Sequence, residues 1–147
     1  MSVNRKSFCI VCIANYCRSP VVEFFLKERF GHEYEFYSAG LSPMPASSMD
    51  PRSLDFLKQN NIKHSLHNPK KINKKMLMYF DYFFAVDLFV LSELNKTFPK
   101  YKHKFKLFTS KFNDISIIDP YGLENEAYAK VMNDIKYVAT NIQLSEI

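Results

Sequence analysis

The stretch "FCIVCIANYCRSP", from Phe8 to Pro20, constrains this chain more than any other. Phe8 to Cys12 is a continuous apolar run, partly β-branched, with the length of a parallel strand buried on both faces. Ser19-Pro20 then signals a helix start, the serine as cap and the proline at the first helical position, where its missing N–H costs nothing. Val22, Phe25, Leu26 and Phe30 recur at helical spacing, and Gly31 is the expected stop. A strand feeding a helix through a short loop is the opening unit of an α/β fold.

The rest of the chain repeats the alternation. Tyr34 to Gly40 ("YEFYSAG"), Tyr82 to Val86 and Lys104 to Phe108 read as further strands. Helices are expected from Asp50-Pro51 through Leu54 and Leu57 to Asn60-Asn61, from Leu88 to Phe98, and from Glu124 to Gln143. In the last of these Tyr128, Val131, Ile135, Val138 and Ile142 trace one apolar face. "GLSPMPASSMDP", with three prolines and a glycine, reads as a surface loop of the kind that walls a site. At 147 residues, with no repeat or linker, the expectation is one α/β domain over 1–147 with a mostly parallel sheet. In such sheets ligands bind beyond the carboxyl ends of strands, where the loop from Cys12 to Arg18 begins.

Composition narrows the chemistry only in part. The 47% hydrophobic and 24% charged residues fit a soluble globular chain. A formal net charge of +5 suggests an anionic partner, and nucleic acid, acidic protein segments and phosphate esters all satisfy it. The lysines from Lys70 to Lys75 and from Lys96 to Lys111 read as a solvated face. All three cysteines fall in the first seventeen residues, too close together to staple a secreted fold, so a reducing cytoplasm is expected. Arg5 and Lys6 before "FCIVCIA" imitate a signal peptide, but Asn15 and Arg18 follow without a cleavage site. No segment approaches the roughly 18 apolar residues of a membrane span, so no membrane insertion is expected.

The loop itself points to phosphate. A segment running from a strand into a helix directs backbone N–H groups and the positive end of the helix dipole at its occupant. Arg18 adds a planar fork that matches two phosphate oxygens at once. The glycine-rich nucleotide loop ending in Gly-Lys-Ser/Thr is absent, which makes a nucleotide-hydrolase reading poor. Such positive surroundings favour thiolate over thiol, making Cys12 a candidate nucleophile. Cys9 and Cys12 form C-x-x-C, yet no second Cys/His pair follows at ligand spacing, so no metal is expected and Cys9 reads as core. Cys17 is either a packing residue or a partner that cross-links to Cys12 on oxidation. Attack on an ester also needs an acid for the leaving oxygen, and "SIIDPYG" offers Asp119.

Taken together, "VCIANYCRSP", "SAG", "MDP", "AVD" and "DPYG" resemble the low-molecular-weight protein tyrosine phosphatases, in order and spacing, over nearly the whole chain. The resemblance implies a three-layer fold with a four-stranded parallel sheet flanked by helices and a phosphate-binding loop between the first strand and first helix. That loop would comprise Cys12, Ile13, Ala14, Asn15, Tyr16, Cys17, Arg18 and Ser19. It further implies that Cys12 forms a phosphocysteine intermediate, Arg18 clamps the phosphoryl oxygens, Ser19 supports the thiolate, and Asp119 acts as general acid and then base. Asn15 would hold the loop through bonds shared with Ser38 and His67, and Tyr121 would wall the cleft.

The loop from Gly40 to Asp50 lacks the tryptophan common in many members and is similar in length to that of bacterial enzymes acting on tyrosine kinases that control capsule and exopolysaccharide export. Leu41 and Met44 would then flank the mouth. The implied partner is a phosphotyrosine protein, such as a bacterial tyrosine kinase, with inorganic phosphate as product; no cofactor and no nucleic acid are implied. Two departures stand out: Ala14 replaces the usual glycine, where a Cβ is expected to restrict the loop, and Lys70 replaces a common arginine. Ala14 motivates an alternative, a phosphate-binding module without turnover. Thiol-dependent arsenate reduction is a second alternative, which lacks support because no cysteine follows Cys17.

Overall fold

The computed structural model describes residues 5–147. Four strands, β1 (Ser7–Cys12), β2 (Glu35–Gly40), β3 (Tyr82–Ala85) and β4 (Phe105–Leu107), form a parallel sheet in the order β2-β1-β3-β4. The apolar run that opens the chain takes a central place, and all of its residues are buried. Phe8 faces Phe36 on one neighbour and Tyr82 on the other, and its ring stacks on both and on Phe84. Aromatic cross-strand pairs of this kind fix register in addition to burying area.

Five α-helices surround the sheet: α1 (Ser19–Phe30), α2 (Pro51–Gln59), α3 (Lys74–Tyr79), α4 (Leu88–Thr97) and α5 (Asn125–Asn141). The path runs one way across the sheet from β1 to β2 and the other way from β3 to β4, so right-handed crossovers place α1 and α4 on opposite faces. Helix α1 packs against β1, β2, α2 and α5. That double cover explains why every residue from Ser19 to Leu26 is buried, rather than only the stripe of Val22, Phe25 and Leu26. Helix α5 buries the anticipated Tyr128, Val131, Ile135 and Val138, with Met132 and Ala139 beside them.

Three local expectations need correction. Ser19 is the first residue of α1 and does not cap it; Arg18 holds the cap position without a side-chain bond, because the Ser19 hydroxyl is committed to Cys12 and Asn15. Gly31 ends α1 with φ −62°, a right-handed conformation, so its special backbone freedom is not used there. The basic stretches are not wholly solvated either. Helix α3, capped by Asn73 through Met76 N–H, and a 3₁₀ segment at Pro99–Lys104 give order to these lysine-rich stretches. Lys104 Nζ donates to the carbonyls of Leu77 and Phe80 and so closes the C-terminal end of α3. Asp50 does open α2 as expected, accepting from Arg52 N–H with Pro51 at the first position. Among the described residues no helix is long and apolar enough to cross a membrane.

Candidate active site

The parallel strands are wound outward in both directions from the boundary between β1 and β3, and the segment leaving β1 lies at that switch point. Its carbonyls are all taken up from outside. Leu41 N–H donates to Cys12 O, Ser42 N–H to Ile13 O, and Met44 N–H to Ala14 O. His67 Nε2 lies 2.8 Å from Asn15 O, Asp50 N–H donates to Tyr16 O, and Ser53 Oγ to Cys17 O. Arg18 O accepts from Val21 and Val22 at the start of α1. A trans peptide unit points its N–H opposite to its C=O. With the carbonyls of 12–17 drawn outward, the N–H groups of 13–18 converge inward, and that of Asn15 meets Cys12 Sγ at 3.1 Å. Concave runs of N–H groups of this kind bind anions.

Two residues make this curvature possible. Asn15 has φ +51°, in the left-handed region that asparagine tolerates better than most residues. Gly40, at the end of β2, lies beneath the loop, where a Cβ would sit 2.8 Å from Ile13 O and 2.9 Å from Asn15 N. Ala14 is not among the residues with positive φ, so its Cβ does not impose the expected conformational cost. The loop's demand for unusual backbone falls one residue later than the resemblance suggested.

Asn15 is also the hub of the supporting bonds. Its Nδ2 donates to Ser19 Oγ at 2.7 Å and to Ser38 Oγ at 3.0 Å, while its Oδ1 accepts from Lys70 N–H at 3.0 Å. Ser38 in turn donates to the buried Glu23, whose other oxygen pairs with Lys27. Because a carbonyl can only accept, the His67 ring bonded to Asn15 O carries its proton on Nε2. Burial lowers the His67 pKa, with Lys70 reinforcing the shift and the bond to Asn15 opposing it.

Cys12 lies at the floor, 2% exposed, with Ser19 Oγ 3.0 Å from its sulfur. Arg18 is 1% exposed, and its Nη1 donates to Asp87 Oδ2 at 2.6 Å and to Ile117 O at 2.8 Å. A buried guanidinium needs such partners. They occupy one nitrogen and leave Nε and Nη2, the edge that matches two oxygens of a phosphoryl group. Asp87 is doubly used, since its Oδ1 also caps α4 at Val90 N–H.

Above the sulfur a cleft of about 160 Å³ is lined by Cys12, Ile13, Ala14, Cys17, Arg18, Met44, Asp119 and Tyr121. A cavity of about 150 Å³ accepts a benzene ring, so this volume suits one aromatic group. Asp119 is exposed, its Oδ1 accepting from Tyr121 N–H at 3.2 Å. The Tyr121 ring packs edge-to-face against Tyr16, 6.2 Å between centroids. Leu41, expected at the mouth, does not line the cleft; it turns half-buried against the core while its amide serves Cys12. Burial pushes the Cys17 thiol up to about 12 and the Cys9 thiol, fully enclosed, well up.

The sequence reading brought together Cys12, Arg18, Ser19, Asn15, Ser38, His67, Met44, Asp119 and Tyr121 in one place. It missed Asp87, Glu23, Ser53 and the backbone of Lys70. For Asp87 a signal existed: "AVD" ends a strand and the aspartate precedes an apolar helix, the position of a cap at the ligand-binding edge of the sheet.

Comparison with known proteins finds relatives of this sequence and of this fold. Residues 7–146 match the family model described as low molecular weight phosphotyrosine protein phosphatase. The low molecular weight protein-tyrosine-phosphatase Ptp of Acinetobacter johnsonii is 32% identical over 117 residues, 79% of this chain and 80% of that one. Wzb of Escherichia coli, also a low molecular weight protein-tyrosine-phosphatase, is 27% identical over 122 residues, 83% of this chain and 82% of its own. The crystal structure of the tyrosine phosphatase amsI of Erwinia amylovora superposes with a TM-score of 0.84 at 26% identity, covering 93% of this chain and 90% of that one.

Proposed function

The chain belongs to the low molecular weight phosphotyrosine protein phosphatase family, and on that premise we propose that it hydrolyses phosphotyrosine through Cys12. The observation that carries this reading is the run of outward-tied carbonyls around a buried sulfur, which aims amides and the Arg18 edge at the place a phosphoryl group would occupy. Cys12 Sγ attacks phosphorus, the bond to the phenolic oxygen breaks, and Asp119 in its acid form gives that oxygen a proton, releasing tyrosine. The Asp119 carboxylate then takes a proton from water as the water oxygen attacks the phosphocysteine. The sulfur leaves as thiolate and inorganic phosphate is released. Arg18 and the loop amides bear the charge of the equatorial oxygens throughout.

Depth sets the specificity. A sulfur at the bottom of a slot that suits one ring is reached by an aryl ester and not by the short esters of serine or threonine. The substrate in this reading is a phosphotyrosine protein, with a bacterial tyrosine kinase of the capsule or exopolysaccharide type as the leading class, acting in the cytoplasm, and residues 1–147 forming one catalytic domain. Cys17, which lines the same cleft, is assigned to protection. After peroxide converts Cys12 to a sulfenic acid, Cys17 displaces water to form a disulfide that a thiol can reduce. In Cys17→Ser, peroxide-treated enzyme should no longer recover activity in dithiothreitol; full recovery would remove Cys17 from this role.

Phosphate release from phosphotyrosine, phosphoserine and phosphothreonine peptides tests the main reading. The expected result is release from phosphotyrosine alone, abolished in Cys12→Ser. Turnover retained in that variant would overturn the mechanism, and equal rates on the three peptides would overturn the specificity.

A further inference from the structure

A second cavity, about 270 Å³, lies on the other side of the groups that hold Arg18. Asp87 and Ile117, whose carboxylate and carbonyl receive Arg18 Nη1, are also part of its wall. The rest of that wall joins the apolar Val86, Leu88, Leu107, Phe112 and Ile115 to the neutral polar Thr109, Ser110, Asn113 and Ser116, of which Ser110, Asn113 and Ser116 stand exposed. Asp87 is the one charged residue in the lining, and its oxygens are already committed to Arg18 and to the α4 cap. Nothing there would hold a second phosphate. The cavity suits a neutral apolar side chain.

Its position says whose side chain. Ile117 lines this cavity and Asp119 lines the phosphate cleft, so the two walls share one strip of chain whose lining residues are at most about 7 Å apart at their Cα atoms. Ile118, in the middle of the strip, is 53% exposed, and Leu88 is 69% exposed among the described residues. An extended peptide advances about 3.3 Å per residue. A peptide whose phosphotyrosine fills the cleft therefore reaches the second cavity within a few residues, crossing Ile118 on the way.

We propose that this cavity is a subsite for an apolar side chain, of leucine size, lying a few residues from the phosphotyrosine of the protein substrate. The proposal rests on the phosphotyrosine reading above and adds a sequence preference to it. Leu88, Ile118 and Ile115 form the apolar contacts, and the Asn113 and Ser116 side chains meet the peptide backbone.

The test uses phosphotyrosine peptides with serine at every flanking position, and a series in which one leucine is stepped along either side. Turnover of 4-nitrophenyl phosphate serves as the baseline. In the unmodified protein, leucine at one or two adjacent positions should raise kcat/KM about tenfold or more, mainly through KM, as expected for filling an apolar pocket. Leu88→Gln removes the rim contact without adding charge, and Ser116→Phe fills the cavity. Both should erase the leucine preference and leave 4-nitrophenyl phosphate turnover unchanged. A flat series on active enzyme, or a preference that survives both variants, overturns the subsite. Failure of the unmodified protein to turn over 4-nitrophenyl phosphate overturns the phosphatase reading itself, and the subsite with it.

Discussion

The two sides of the phosphate cleft are built on different terms. On one side, the loop of residues 12–18 has every carbonyl bonded and its asparagine hub buried. On the other, the segment from Ile117 to Leu123 is tied at its ends, through Ile117 O to Arg18 and Leu123 O to Arg52. Between those ties Asp119 and Tyr121 are exposed, and Gly122 turns the chain with φ +82°. The difference follows from what each side has to do. A tetrahedral anion of fixed shape rewards a cradle that is fully determined before the ligand arrives. In the proposed mechanism the other side gives a proton, takes one back and lets product leave, which needs access more than enclosure.

This contrast can be broken from either side. Asp119→Asn should slow phosphotyrosine turnover by about 10²–10⁴, the usual share of a general acid, with an unchanged melting temperature, since Asp119 is exposed and its one bond is local. A rate within a few-fold of the unmodified protein would place the acid elsewhere. Gly40→Ala should do the reverse and act on stability first. Its Cβ would press on the backbone of Ile13 and Asn15, at an overpacking cost of about 1–3 kcal/mol, read as a lower denaturation midpoint together with impaired phosphate binding. A variant of native stability and activity would mean that the loop yields more easily than its bonds suggest.

The smallest effect belongs to His67 and concerns pH. Burial lowers its pKa in the folded protein below the ordinary value of about 6.5. Below that pH the unfolded chain takes up a proton that the folded chain resists, so the contribution is complete above about 6.5 and declines as pH falls. In His67→Gln, whose amide N–H can still reach Asn15 O, the fall in melting temperature between neutral and mildly acidic pH should be shallower than in the unmodified protein. Parallel curves would show that His67 does not titrate against the fold.

Much of this was legible in the residues because the relevant signals are local. The strand–loop–helix at Phe8 to Phe30 announces itself through an apolar run, a proline and a helical stripe. Helix α3 announced nothing, being six residues long with one buried side chain, and its ends depend on Asn73 and on the distant Lys104. Serine before proline is usually a cap, but tertiary contact assigns the Ser19 hydroxyl to Cys12 and Asn15 instead. The cradle's outer partners were hidden for a related reason. Leu41, Ser42, Met44 and Lys70 contribute backbone N–H groups, which every residue but proline possesses, so no side-chain pattern could mark them.

Those outward-tied carbonyls also carry a consequence for the order of events during synthesis. Cys12 and Arg18 lie within the first eighteen residues, yet their supports come from 38–44, 50–53, 67–70, 87 and 117. Contacts across such separations close late, after long loops have been drawn in. A chain still emerging from the ribosome thus carries the Cys12 sulfur without its cradle, and the cradle closes only after about four fifths of the sequence has been made. Catalysis in this molecule is a report that folding has finished.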